Sequence, residues 1–288
     1  MCQLQQTVMY EEPQQKYKFL PDLYYGGDRS KIIIPEKFNE NLKEFTSPVQ
    51  LWETCSGTSA LSTTARDSKV SHLPPIDYRF GWDLGRLSDQ LMILHTLLFV
   101  GVGTFFTSPN CAPWGNHTRN LPPDVFQANR KFEEPCLMFL AVCCFIQILL
   151  GNQYILENSA FSDIFTKSPL RFLRTIEYHL STLDQCACGG MLEGEFIKKR
   201  SHFQAGHELK HLNVTCPGGH THLNLRGNNR AASAARYTSN ECERILLDSK
   251  MAANATEGGS NTPSTIVSHT SSFSKQIPNC KPTVNPLR

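Results

Sequence analysis

Short apolar runs alternate along this chain with segments of helical periodicity, and this alternation restricts the fold more than any other feature. Residues 49–53, 102–106 and 153–157 are typical of buried strands. Between them, residues 88–100 carry leucines at helical spacing, and residues 124–150 predict a helix that Gly151 ends and that Pro135 kinks or splits. We therefore predict an α/β fold with a Rossmann-like parallel sheet and helices on both of its faces.

The two ends of the chain differ in composition from its middle. Residues 1–45 are mixed in character, and twelve of the residues in 249–288 are Ser or Thr. A segment without apolar mass does not offset the entropy that is lost on ordering it. We predict a poorly ordered N-terminal arm over 1–45, a folded domain over 46–248 and a disordered tail over 249–288.

The eleven cysteines do not indicate a secreted disulfide scaffold. Residues 1–15 are polar and acidic where a signal peptide needs an apolar stretch, and the longest apolar run, 137–150, is too short to cross a bilayer. We expect an intracellular protein, nuclear or cytoplasmic, with reduced thiols and no membrane partner. A net charge of only +2 means that any contact with nucleic acid depends on a local basic patch.

Each predicted strand ends in a polar turn, and parallel strands bring their carboxyl ends to one edge of a sheet. Glu53 precedes a turn of small residues that includes Gly57. Cys111 follows the second strand on a loop between two prolines, and Glu157 ends the third strand. These residues suit a nucleotide-like ligand, a nucleophilic thiol and a general acid. They suit equally an ordinary turn, a buried thiol and a helix-capping carboxylate.

In this order the motifs resemble those of cytosine-5 DNA methyltransferases, which bind S-adenosyl-methionine on a Rossmann-like sheet. The similarity is greatest to a divergent group of methylase-like sequences from mobile elements, and it covers about residues 46 to 247. The segments that carry it are 53–58, 74–84, 108–116, 157–159, 184–186, 197–200 and 216–222.

The resemblance implies S-adenosyl-methionine-dependent transfer of a methyl group to C5 of cytosine in DNA. Cys111 would attack C6 of a flipped-out cytosine, Glu157 would hold or protonate N3, and Arg200 would help to hold the substrate. Five residues would bind the cofactor: Glu53 and Gly57 at its methionine end, Asp77 at the ribose, Asp83 near the adenine, and Ser108.

The chain departs from the family pattern at several points. Asn110 replaces the proline that usually precedes the cysteine, Ser159 replaces Val or Pro, and the cofactor turn holds a single glycine. Few residues follow Arg200 in the folded part, which leaves little room for a target-recognition segment. The alternatives are a degenerate enzyme, a non-catalytic nucleic-acid-binding protein derived from one, and a zinc-stabilised interaction domain. The oligomeric state stays open.

A basic segment rich in Cys and His covers residues 186–244, with eight Lys and Arg against five Glu. Its charge fits phosphate contacts, and it fits a solvated face equally well. Cys216, His220 and His222 share a glycine-rich turn, and with Cys186 they could form one zinc site. Cys188 is a doubtful ligand because Cys-x-Cys is tight for a shared tetrahedral site. Solvated histidines and buried thiols are the alternative.

Overall fold

The computed structural model describes residues 49–115, 120–225 and 230–257. The predicted N-terminal arm and most of the predicted tail lie outside these residues. The strands are β1 (Val49–Thr54), β2 (Val102–Thr107), β3 (Gln153–Ser159), β4 (His179–Asp184), β5 (Met191–Leu192), β6 (Glu195–Phe196) and β7 (Arg200–Ala205). The α-helices are α1 (Ala60–Asp67), α2 (Leu87–Phe99), α3 (Pro123–Leu149), α4 (Ile164–Lys167), α5 (Arg230–Ser233) and α6 (Ser239–Glu257).

Five of the strands form one sheet in the order β1-β2-β3-β7-β4. The first three are parallel to one another, as the alternation of strands and helices predicted. The sheet as a whole is mixed rather than parallel, because β7 runs antiparallel to both β3 and β4. Residues 71–76 extend the opposite edge through two parallel bridges to β1.

Helices cover both faces of this sheet, as predicted. Side chains of a strand alternate between the faces, so neighbouring residues enter different cores. Trp52 and Phe105 belong to the core that contains residues of α2 and α3. Leu51 and Phe106 belong to the core that contains residues of α1 and α6. Both cores therefore meet at the central strands and hold their carboxyl ends in fixed positions.

Helix α3 is continuous over 27 residues and contains Pro135 in its interior, so the proline does not split it. It is the one helix of the described residues that is long and apolar enough to span a membrane, and core helices share these properties. Leu137, Leu140 and Cys144 are buried in the core that contains Trp52 and Phe105. The lost hydrogen bond at Pro135 is offset by this packing.

The last helix, α6, continues through Glu257, past position 248 where the sequence suggested the end of the folded part. Two of its acidic side chains accept hydrogen bonds from groups outside the helix, one from a side-chain amide and one from a backbone N–H. Glu241 accepts a hydrogen bond from Gln185, and Asp248 accepts one from the Lys210 N–H. The Cys/His-rich part, residues 186–244, provides β7 and the start of α6. It therefore belongs to the same folded unit as the three parallel strands.

Candidate active site and metal centre

The carboxyl ends of β1, β2 and β3 lie side by side. Glu53 is in register with Phe106, and Thr107 is in register with Leu156. The turns after the three strands therefore share one edge, as predicted. We call the residues around these turns, with their neighbours from β7 and residue 237, the strand-end site.

Glu53 is buried at the end of β1 with 1% of its surface exposed. One carboxylate oxygen, Oε2, accepts hydrogen bonds from the Ser62 N–H at 2.8 Å and from the Ser62 hydroxyl at 2.5 Å. Among the described residues, no donor meets the other oxygen, Oε1, with hydrogen-bond geometry. Burial disfavours the charged form and raises the pKa of Glu53 to about 7.

The turn after β1 takes a left-handed backbone at alternate residues. Cys55, Gly57 and Ser59 have φ angles of 53°, 54° and 56°. Only one of the three is a glycine, although this conformation costs other residues about 1 kcal/mol or more. The turn therefore adopts, at two positions that are not glycine, a backbone conformation that glycine usually provides.

Asp77 lies beside this turn, and Asp83 lies in the loop that follows Asp77; each carboxylate accepts a hydrogen bond from a backbone N–H. Asp77 accepts hydrogen bonds from the Gly57 N–H at 2.8 Å and the Arg79 N–H at 3.0 Å. Asp83 accepts from the Tyr78 hydroxyl at 3.0 Å. Asp77 thus fixes the turn after β1, and Asp83 fixes its own loop through the Gly85 N–H at 2.9 Å. Burial raises the pKa of Asp77.

The loop that carries Cys111 is anchored from two neighbouring strands. The Ser108 hydroxyl donates to the Cys55 carbonyl at 3.2 Å, which joins it to the turn after β1. The Asn158 side chain at the end of β3 donates to the Pro109 carbonyl at 2.8 Å. Cys111 then begins the short helical turn Ala112–Trp114. The loop that carries Cys111 is thus fixed by contacts with the turn after β1 and with the end of β3.

The Cys111 thiol lies in the electrostatic field of two charged side chains. Burial raises its pKa, the carboxylate of Glu157 raises it further, and the ammonium group of Lys199 lowers it. Cys111 and Glu157, predicted as a pair, are therefore close enough to interact. The thiol is mainly protonated near neutral pH.

Three residues that the sequence did not single out surround Glu157. Its carboxylate accepts hydrogen bonds from the Ser201 hydroxyl and from the Tyr237 hydroxyl at 3.1 Å, and the ammonium group of Lys199 lies 3.7 Å away. Lys199 belongs to the basic run beside Arg200, which was a usable signal. Tyr237 lies far along the chain, and no motif marks it.

Arg200 is not part of the strand-end site. Its guanidinium donates to both carboxylate oxygens of Asp184, each at 2.7 Å. Successive residues of an extended chain face opposite ways, so Lys199 faces Glu157 while Arg200 faces away from it. The predicted substrate-holding role therefore suits Lys199 by position. Arg200 lies instead on the side of Cys216, since Asp184 also accepts a hydrogen bond from the Cys216 N–H at 2.8 Å.

The four predicted metal ligands, Cys186, Cys216, His220 and His222, converge on one point, and we call them the Cys/His group. Their ligand atoms all lie within 4.8 Å of one another. Cys188 is not among them, because it is buried in the core beneath α6. None of the cysteines in the described residues forms a disulfide bond.

The fold and the strand-end site define an α/β protein with a mixed five-stranded sheet, of the Rossmann-like kind in general. No protein-family model matches the chain, and no curated protein matches it.

Proposed function

We propose that the protein transfers a methyl group from S-adenosyl-methionine to C5 of cytosine in DNA, with Cys111 as the nucleophile. The observation that carries the proposal is the position of Cys111 and Glu157 at neighbouring strand ends. Cys111 lies on the loop after β2, Glu157 lies at the end of the adjacent parallel strand β3, and hydrogen bonds tie this loop to Asn158 and to the turn after β1. A thiol and a carboxylate on one edge can engage two atoms of the same pyrimidine ring.

The residues around the turn after β1 fit the methionine end of such a cofactor. Within the part of the chain that the structure describes, Glu53 Oε1 is a buried carboxylate oxygen without a hydrogen-bond partner, and the ammonium group of the cofactor would supply a donor. The left-handed backbone at Gly57 allows close approach of a ligand to the loop. When bound, S-adenosyl-methionine would supply an electrophilic methyl group.

Residues of the chain would carry the remaining chemistry. The Cys111 thiol would give its proton to solvent water and its sulfur would form a bond to C6, so that the electron pair of the C5–C6 double bond would become available at C5. After C5 has taken the methyl group and S-adenosyl-homocysteine has been released, water would accept the C5 proton, the double bond would re-form and the Cys111 sulfur would leave C6. Glu157 would hold N3, and Lys199, which lowers the pKa of Cys111, would favour the thiolate.

The test is methyl transfer from radiolabelled S-adenosyl-methionine to double-stranded DNA by the full chain. We expect Cys111→Ser to lower transfer by at least about 10³-fold, because a hydroxyl is a far weaker nucleophile. Binding of S-adenosyl-homocysteine, measured by calorimetric titration, should stay unchanged. Cys280→Ser, outside the described residues, is the matched control and should transfer normally.

Two results would contradict the proposal. Undiminished transfer by Cys111→Ser would remove the thiol from the mechanism. Failure of the folded wild-type chain to bind S-adenosyl-homocysteine would show that S-adenosyl-methionine is not its cofactor.

The second candidate is a non-catalytic nucleic-acid-binding protein derived from such an enzyme. It is favoured by the raised pKa of Cys111, which leaves the thiol protonated at rest. DNA binding that weakens steeply with salt, without binding of S-adenosyl-homocysteine, would support this candidate over the first.

A further inference from the structure

The Cys/His group lies outside the strand-end site, and its donor atoms have a specific arrangement. His222 Nε2 lies 3.4 Å from Cys186 Sγ and 3.5 Å from Cys216 Sγ. His220 Nε2 lies 3.6 Å from Cys216 Sγ and 3.0 Å from His222 Nε2. All the donor atoms therefore face a common centre.

These separations match the edges of a tetrahedral coordination shell. Zinc binds cysteine sulfur at about 2.3 Å and histidine nitrogen at about 2.0–2.1 Å, so the edges of its tetrahedron measure about 3.3–3.8 Å. Three of the four sulfur–nitrogen distances, at 3.4–3.6 Å, fall in this range, and the nitrogen–nitrogen distance of 3.0 Å is slightly shorter. Two thiolates with two imidazoles form one of the ordinary ligand sets of zinc.

We propose that Cys186, Cys216, His220 and His222 bind one Zn²⁺ ion and that this ion has a structural role. Four protein ligands complete a tetrahedral shell and leave no position for water or substrate, as in structural zinc sites. The proposal goes beyond methyl transfer and does not depend on it.

The segments that provide the ligands have little other structure to hold them together. Cys186 lies in the short turn Gln185–Cys188 after β4, and the other three come from residues 216–222, which contain no helix and no named strand. Single bridges attach this segment at each end, from Val214 to Leu183 and from His222 to Phe196. An ion would cross-link these pieces where packing does not.

The surroundings of the group also suit metal-bound thiolates. The Gly218 N–H points at Cys216 Sγ, with a nitrogen–sulfur distance of 3.4 Å. Asp184 fixes the backbone at Cys216, and the ring of Phe196 packs on His220 with centroids 4.3 Å apart. Contacts that orient ligands in this way accompany metal sites generally.

The first experiment is metal analysis of the full chain purified from zinc-supplemented cells. We expect about one zinc ion per chain in the wild type and a loss of most of it in Cys216→Ser and in His222→Gln. Cys188→Ser and His207→Gln are the matched controls, each changing the same residue type outside the group, and both should retain the metal.

A second measurement keeps the proposal testable if the ligand variants do not fold. Chelation of zinc from the wild type should lower Tm by roughly 10 °C, and added Zn²⁺ should restore it. Co²⁺ in place of zinc should give the visible absorption of a tetrahedral thiolate site.

Folded wild-type protein without bound metal, and with a Tm that neither chelator nor Zn²⁺ changes, would overturn the proposal. A Cys186–Cys216 disulfide in freshly purified protein would overturn it as well. Both measurements are made without cofactor or nucleic acid, so failure of the methyl-transfer proposal would leave them unaffected.

Discussion

The strand-end site and the Cys/His group differ in what holds their polar atoms in place. At the strand-end site the sheet provides partners: Ser201 and Tyr237 donate to Glu157, and Ser62 donates to Glu53. In the Cys/His group the four donor atoms lie mainly against one another. A site of the first kind is preorganised by packing and hydrogen bonds. A site of the second kind needs an added ion, which is what we propose.

The two sites nevertheless meet at the start of β7. Lys199 reaches Glu157, and Arg200 reaches Asp184 on the other side of the chain. Adjacent residues therefore serve different sites, and variants at these positions can separate the two.

The largest effect is expected from Asp184→Ala, which acts on the Cys/His side. This carboxylate is fully buried and accepts from Arg200 and from the Cys216 N–H. Its removal leaves both donors without their partner, so the free energy of unfolding should fall by about 3–5 kcal/mol in urea titrations. Asp67→Ala, which breaks an exposed pair with Arg66, should change it by less than about 0.5 kcal/mol.

The effect of Asp184→Ala should also depend on pH. Arg200 lowers the pKa of Asp184, so the stabilisation is present above the unfolded pKa of about 4 and is lost as pH falls through the lower folded pKa. If Asp184→Ala lowered the free energy of unfolding equally at neutral and at strongly acidic pH, the ion pair between Asp184 and Arg200 would not be the source of the stabilisation.

A smaller effect is expected from Glu53→Gln at the strand-end site. The folded-state pKa of Glu53, about 7, lies above the unfolded value, so the folded protein binds the extra proton between pH 4.5 and 7. As pH rises from 4.5 to 7, the free energy of unfolding of the wild type should therefore fall by up to about 3 kcal/mol relative to that of the variant. Urea unfolding at pH 5 and pH 8 measures the difference, and parallel pH profiles would contradict it.

The smallest effect concerns the reactivity of Cys111 toward iodoacetamide, followed by mass spectrometry of its peptide. The charge of Glu157 raises the pKa of the thiol and that of Lys199 lowers it. Glu157→Gln should therefore speed alkylation at a given pH, and Lys199→Met should slow it. Arg200→Met is the control and should leave the alkylation rate of Cys111 unchanged. An equal decrease of this rate in Lys199→Met and Arg200→Met would contradict the assignment of the two residues to different sites.

The three parallel strands were predictable to within about two residues from their apolar runs. Their common edge followed from the alternation with helices, and this placed Glu53, Cys111 and Glu157 together. The convergence of the Cys/His group was predictable as well, because ligand chemistry restricts the choice of residues and the glycine-rich turn allows His220 and His222 to lie close to Cys216.

Other features depend on contacts between distant parts of the chain. The reversal of β7 brought Lys199 rather than Arg200 to Glu157, and a basic run carries no information about which face each residue occupies. Tyr237 reaches Glu157 from 80 positions away. Pro135 remains inside α3 because the helix is packed against the sheet, a stabilisation that no local pattern reveals.

The amino-acid sequence alone determined the three parallel strands, the helices between them and the residue types that carry chemistry, because periodicity and ligand preference are local properties. Only the tertiary structure decided which side chains share a site. That choice depends on strand direction and on the face that each residue occupies, and both are set by packing between segments distant in the chain. Glu157 shows this most directly: its position at a strand end was predictable, and its three partners were not.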